Sequence, residues 1–418
     1  MFNNFLYIDP GTGSMLFSLF IGLATTAVFG LRALSIKIKS IIGRGKQTEL
    51  DKSHLGIVIY SDSKRYWNVF GPIAHEAENR KIPLVYFTQS SDDPALSEKF
   101  EYVKTEFIGE GNKGLAKMNF LNADLCLSTT PGLDVLQWKR SKLCKYYVHI
   151  PHMLSDMTSY RMFGLDHYDA VLCTGDYQKI DIQKLEEIRN TQKKEFVTVG
   201  YPPLDQMKIR LDQIQKSESE NKNSSQKTVL VAPSWGKSAI LSKYGEKFLQ
   251  ALKQTGYKIV VRPHPQSFTA EKDLIENLMK KFPNSADFEW NTDNDNFDCM
   301  NNASILISDF SGILFEFTLL FDKPIIYADT NFDKGPYDAS WIDDEMWQFK
   351  TLSILGTKLS QEKIPDIKNV IDQTIVDDKF AEGRKKAREE AWQCRGKSAS
   401  IVVDYLVEKQ KSICGVSK

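Results

Sequence analysis

From residue 55 onward, short apolar runs recur between stretches whose apolar positions fall at helical spacing. LGIVIY (55–60), IPLVYFT (82–88), ADLCLST (123–129), YYVHI (146–150), DAVLCT (169–174) and FVTVG (196–200) each predict a buried strand, with a helix around 66–79. The last of these runs into Tyr201-Pro202-Pro203, which reads as a turn. Strands separated by helical stretches imply right-handed βαβ units and a parallel sheet.

KSESENKNSSQK (216–227) has no apolar residue and reads as an exposed linker. The pattern then restarts with strands at TVLVAPS (228–234), YKIVVRPHP (257–265), SILISD (304–309) and KPIIYA (323–328), and a helix near 246–255. Residues 377–409 are rich in Ala, Glu, Lys and Arg and should be helical. The predicted fold is α/β. A Rossmann-like half at 47–215 and another at 228–376 are joined by the linker 216–227 and followed by a helical segment at 377–418. Two such halves place a ligand cleft between them, at the carboxyl ends of their strands.

The amino-terminal segment, 1–46, is different. No charged residue lies between Asp9 and Arg32, and residues 15–31 read MLFSLFIGLATTAVFGL. A helix needs ~20 mostly apolar residues to cross ~30 Å of hydrocarbon, so this run is just long enough for one anchor. The charges that follow (Arg32, Lys37, Lys39, Arg44, Lys46) are all positive. They would hold the body on the cytoplasmic face, close to anionic lipid. An interfacial helix and a cleaved leader are the competing explanations; the absence of Lys or Arg from residues 1–10 speaks against the leader.

Composition narrows the function classes. With 54 basic and 54 acidic residues the formal net charge is zero, which argues against a nucleic-acid partner. The six cysteines never form a C-x-x-C pair, so neither a zinc ribbon nor a disulfide scaffold is expected.

Six histidines mark the candidate chemistry. His54 and His75 have surface or structural settings. His149, His152 and His167 cluster after a predicted strand, and His264 follows another in RPHP. Pro263 and Pro265 fix the backbone on both sides of His264, leaving a rigid loop that presents an imidazole beside Arg262, a pair suited to phosphate. In SDFSG, Ser308, Asp309 and Ser311 precede the helix ILFEFTLLF. Helix capping alone accounts for those residue types, but a helix start is also an anion site, with Ser311 adding a hydroxyl and Gly312 permitting close approach. Glu316, one turn on, could accept from a ribose or polyol hydroxyl. Ser234 and Lys237 in APSWGKS could also meet phosphate, although the P-loop spacing is absent. NTDNDNFD (291–298) reads as a polar loop rather than a metal site.

Taken in order, GYPPLD, VLVAPSWGKS, RPHP and SDFSGILFEF…KPIIY resemble the CDP-glycerol glycerophosphotransferase family, the primases and polymerases of teichoic acids and related polyol-phosphate polymers. The resemblance covers about 146–327. It implies a GT-B-like fold and transfer of glycerol or ribitol phosphate from a CDP-activated donor to a lipid-linked glycan acceptor at the bacterial cytoplasmic membrane, with release of CMP. It also implies two functional histidines. One is His264; the other belongs to a Trp-His-Gly motif that this chain lacks, and His149 or His152 must stand in for it. No metal or other cofactor is required, since protein donors can compensate the phosphate charge, and a homo-oligomer is compatible with the chain. A GT-B sugar transferase, a nucleotide-sugar epimerase and a membrane-tethered scaffold are the alternatives.

Overall fold

In the computed structural model, residues 53–217, 226–293, 295–328, 330, 332–377 and 379–415 are described. The apolar runs of the first half become β1 (Leu55–Ser61), β2 (Leu84–Thr88), β3 (Val103–Phe107), β4 (Ala123–Ser128), β5 (Cys144–His149), β6 (Ala170–Cys173) and β7 (Glu195–Thr198). Those of the second become β8 (Thr228–Val231), β9 (Lys258–Val261), β10 (Phe288–Trp290), β11 (Ile305–Ser308), β12 (Ile325–Ala328) and β13 (Gly356–Leu359). The first sheet has the order β3-β2-β1-β4-β5-β6-β7 and the second β10-β9-β8-β11-β12-β13. Both are parallel throughout. β1, β2 and β4 are apolar nearly end to end because both faces of the sheet are covered, leaving no solvent side for polar residues.

In each sheet the strand order reverses once, between β1 and β4 and between β8 and β11. At such a point the connections leave in opposite directions and open a crevice above the strand ends. The four segments beside these crevices begin at Asp62, Thr129, Ala232 and Asp309.

From Leu55 onward the described residues form one compact unit. The helix Pro202–Ser217 carries Leu204 and Leu211 from the first half into a core with Leu230, Leu306, Phe315 and Phe317 of the second. This corrects the expected turn at Tyr201-Pro202-Pro203: Pro202 and Pro203 open a helix, where a missing N–H costs nothing. The expected helical tail is two helices, Ala381–Ala391 and Ser398–Ile413. The second returns to the first sheet, where Val402, Val403 and Leu406 pack with Ile57, Ile59 and Leu125. Asp205 of the GYPPLD motif pins this return, accepting from Trp392 Nε1 at 2.8 Å and from the Ser398 hydroxyl at 2.5 Å.

Among the described residues no helix is long and apolar enough to cross a membrane. The apolar run 15–31 expected to form an anchor lies outside the described residues, as do positions 218–225 of the expected linker.

Candidate functional site

The first wall of the site is built at the end of β5. His149, the last residue of that strand, is fully buried; its Nε2 lies 3.1 Å from the Tyr160 hydroxyl. Burial holds its pKa well below 6.5, with a smaller push from His152. Three residues on, the chain has left the strand and His152 is only partly covered. Its Nδ1 is 3.0 Å from the Thr129 hydroxyl, and its ring packs beside Tyr66 and Tyr160 at centroid distances of 4.9 and 5.8 Å. Burial lowers its pKa to about 4. His152 is thus neutral at pH 7, and when Nδ1–H donates to Thr129, Nε2 holds the free lone pair of a proton acceptor.

The second wall stands on β8, β9 and β11. His264 follows β9, and its Nδ1 accepts the backbone N–H of Gln266 at 3.1 Å. In the neutral imidazole this puts the proton on Nε2, making that atom a hydrogen-bond donor. Burial and the nearby Arg65 cation bring the pKa of His264 down to about 4. Arg262 donates to the Asn291 side chain and lies close enough to Glu316 to ease ionisation of that half-buried carboxyl. Ser311 and Gly312 stand half-buried before the helix Ile313–Phe321, whose start has no side-chain cap. A Cβ added to Gly312 would meet nothing within 4 Å, so the approach to this helix end is open.

The expected phosphate-binding residues therefore separate into two groups. Arg262 and His264 stand at the end of β9 and Ser311 and Gly312 at the end of β11, the two strands that flank β8, with Lys237 exposed on the loop after β8. Ser308 and Asp309 turn inward. The Ser308 hydroxyl donates to the Ala232 carbonyl at 2.5 Å. The Asp309 carboxylate accepts from the backbone N–H groups of Ser234 (2.9 Å), Phe310 (2.7 Å) and Ile240 (2.9 Å). Asp309 thus shapes the loop carrying Ser234 and Lys237, and the Ser234 residue is itself buried. Glu316 is engaged on both oxygens, accepting from Asn296 Nδ2 at 3.1 Å and lying 3.4 Å from the Tyr201 hydroxyl.

Three links across the site lay outside the sequence reading. Arg65 and Tyr66 are consecutive residues just past β1, yet Arg65 acts on His264 of the second half while Tyr66 packs on His152 of the first. Tyr201 donates to the His152 carbonyl at 2.8 Å while reaching Glu316. The signal for Arg65 and Tyr66 was their position alone, since residues beyond a parallel strand's carboxyl end face the cleft. Among the described residues no group of three or more His, Cys, Asp or Glu side chains could hold a metal ion.

Comparison with known proteins adds the chemistry. The family model described as CDP-glycerol:poly(glycerophosphate) glycerophosphotransferase matches residues 159–404, which include Arg262, His264 and 308–316 and leave His149 and His152 upstream. The minor teichoic acid biosynthesis protein GgaB of Bacillus subtilis (strain 168) is 26% identical over 165 residues, covering 33% of this chain and only 16% of GgaB. The solved structure of the wall teichoic acid polymerase TagF superposes with a TM-score of 0.58 at 15% identity, over 94% of this chain and 98% of that one. UDP-GlcNAc 2-epimerase from Neisseria meningitidis, bound to UDP-GlcNAc, gives 0.52 at 11% identity, over 85% and 100%. At such identities the structural likeness speaks for the fold, two parallel α/β halves of GT-B type. The match over more than half of the chain shows the family: this protein belongs to the CDP-glycerol:poly(glycerophosphate) glycerophosphotransferase family.

Proposed function

We propose that the chain transfers a polyol phosphate, glycerol phosphate or ribitol phosphate, from a CDP-activated donor to a membrane-lipid-linked glycan acceptor, releasing CMP in cell-surface polymer synthesis at the cytoplasmic face of the membrane. The observation that carries this reading is the pairing of a proton-accepting His152 on one wall with a proton-donating His264 on the other, spanned by Arg65 and Tyr66.

The donor pyrophosphate would lie against Arg262, His264 Nε2–H and the open helix start at Ser311–Gly312. Fixed donors there stabilise charge developing on phosphate oxygens without reorganising. His152 Nε2 would take the proton of the acceptor hydroxyl as its oxygen attacks the phosphorus bearing the polyol. The bond from that phosphorus to the oxygen of CMP breaks, and CMP leaves with the bonding pair. Charge compensation comes from Arg262, the helix start and Arg65, so no metal is assigned a step.

The test is CMP release by the full chain from CDP-glycerol and CDP-ribitol, set against UDP release from UDP-sugars. CMP from a CDP-polyol supports the proposal, and a His264→Ala variant should then lose ~10²–10⁴-fold in turnover while staying folded. UDP release without CMP would make the protein a sugar transferase, and a His264→Ala variant with near wild-type turnover would remove His264 from the site.

A further inference from the structure

The first-half crevice holds a group of polar atoms that the steps above do not use. Asp62 lies two residues beyond Tyr60 of β1, and Thr130 two beyond Ser128 of β4, and Tyr60 and Ser128 are register partners. His149 of β5 is in turn the partner of Ser128. The three neighbouring strands thus deliver Asp62, Thr130 and His149 to one place, at the point where the strand order reverses.

Each of the three carries a buried atom with no hydrogen-bond partner: Asp62 Oδ1, Thr130 Oγ1 and His149 Nδ1. Orphaned buried polar atoms are uncommon in folded proteins, and three on adjacent strand ends call for a shared explanation. Aromatic groups close the ring around them. The Tyr168 hydroxyl donates to the Thr130 carbonyl at 2.5 Å, and the Tyr168 ring sits 5.1 Å from that of His149. Tyr160 joins His149 to His152, and Tyr66, on which the Asp62 charge acts, packs against His152. Burial raises the Asp62 carboxyl above its ordinary range; the Thr130 hydroxyl is near enough to lower it somewhat, but not in hydrogen-bond geometry with it.

We infer that Asp62 and Thr130 bind a hydroxyl group of the acceptor beside His152, in an aromatic-walled pocket that takes an uncharged polyol or sugar end. This rests on the transferase reading. A carboxylate oxygen accepts from a hydroxyl and a threonine hydroxyl can give or take, so a vicinal pair of hydroxyls would satisfy both orphans. Faces of Tyr66, Tyr160 and Tyr168 suit the C–H surface of such a group. A phosphate monoester would meet the Asp62 charge and be rejected.

The experiment uses the full chain and two neutral probes, glycerol and methyl glucoside, with glycerol 3-phosphate as the anionic control. CMP release at saturating CDP-glycerol is followed against probe concentration for wild type, Asp62→Asn and Thr130→Val. Probe-induced and CMP-induced thermal shifts are recorded in parallel. The expected result is a probe-dependent rate in the wild type whose half-saturating concentration rises at least 10-fold in both variants, with the CMP-induced shift retained. The stronger of the two probes separates a polyol end from a sugar end. Wild-type probe dependence in both variants would overturn the inference, as would loss of the CMP shift together with the probe dependence. If the wild type releases no CMP, the transferase reading fails by itself; the probe-induced shift, present in wild type and absent from Asp62→Asn, still decides on the pocket.

Discussion

Replacing Asp309 separates a phosphate ligand from a loop-shaping residue. Its carboxylate accepts three backbone N–H groups, two on Oδ1 and one on Oδ2. In Asp309→Asn the amide oxygen can keep the Ser234 and Phe310 bonds, which leaves the amide nitrogen facing the Ile240 N–H, donor against donor. One charge-assisted bond is lost, at about 1.5–3 kcal/mol, and the orphaned N–H adds to that cost. Asp309→Ala removes all three bonds, a gross loss of about 4.5–9 kcal/mol at the same rate per bond. Against this stands the several kcal/mol needed to bury the ion, which alanine no longer incurs. The net expectation is about 3 kcal/mol of destabilisation for either variant. It is read from urea unfolding followed by far-UV circular dichroism, with the CMP-induced thermal shift as the second measure. Because the Ser234–Ile240 loop loosens, CMP binding should weaken as well. If instead Asp309 faced the donor, its negative charge would oppose the pyrophosphate, and Asp309→Asn would bind CMP more tightly at unchanged stability. That result would refute the assignment.

Four further outcomes follow. His152 and His264 have pKa values near 4 in the free protein, so both stay neutral until the pH approaches 4, and the acid limb of kcat/KM should fall near 4 rather than 6.5. Their folded pKa values lie below the unfolded one, so the unfolded chain binds more protons between 6.5 and 4 and stability must decline as the pH drops through that window, measurable by denaturant titration at pH 7 and 5. Tyr201→Phe deletes the hydroxyl between the His152 carbonyl and Glu316; about 1–2 kcal/mol of stability should be lost, with a drop in turnover that Asn296→Ala does not reproduce. CMP release should persist in EDTA, and a loss restored by Mg²⁺ would reassign the charge compensation to a metal.

How much was legible in the sequence depended on what each segment buries. β1, β4 and β11 are covered on both faces, so their apolar runs stood out. β3, VKTEF, is a half-exposed edge strand that mixes charged and apolar residues, and nothing in its pattern set it apart. Pro202 and Pro203 carried the signal of a turn and that of a helix start alike; packing of Leu204 and Leu211 into the shared core decided between them. Arg262 and His264 stood out in the sequence because Pro263 and Pro265 fix the backbone on both sides of His264. The inward turn of Ser308 and Asp309 did not, since a capping serine and a ligating serine are the same letters. Arg65 and Tyr66 sit in SDSKRYW, an unremarkable polar stretch that acquires meaning only when two separate sheets bring their strand ends together.

The return of the helix Ser398–Ile413 to the first sheet bears on how the chain can be made. During synthesis the strands of the first half emerge before those of the second, but the apolar face that receives Val402, Val403 and Leu406 stays bare until residues 398–413 have left the ribosome. Domains that close on themselves fold one after another as they appear; here the first half must wait for a helix that follows the second. A fragment cut at the interdomain segment would therefore display a greasy flank and call on chaperones, whereas a permuted gene that fuses the final helix ahead of β1 would let the first half fold unaided.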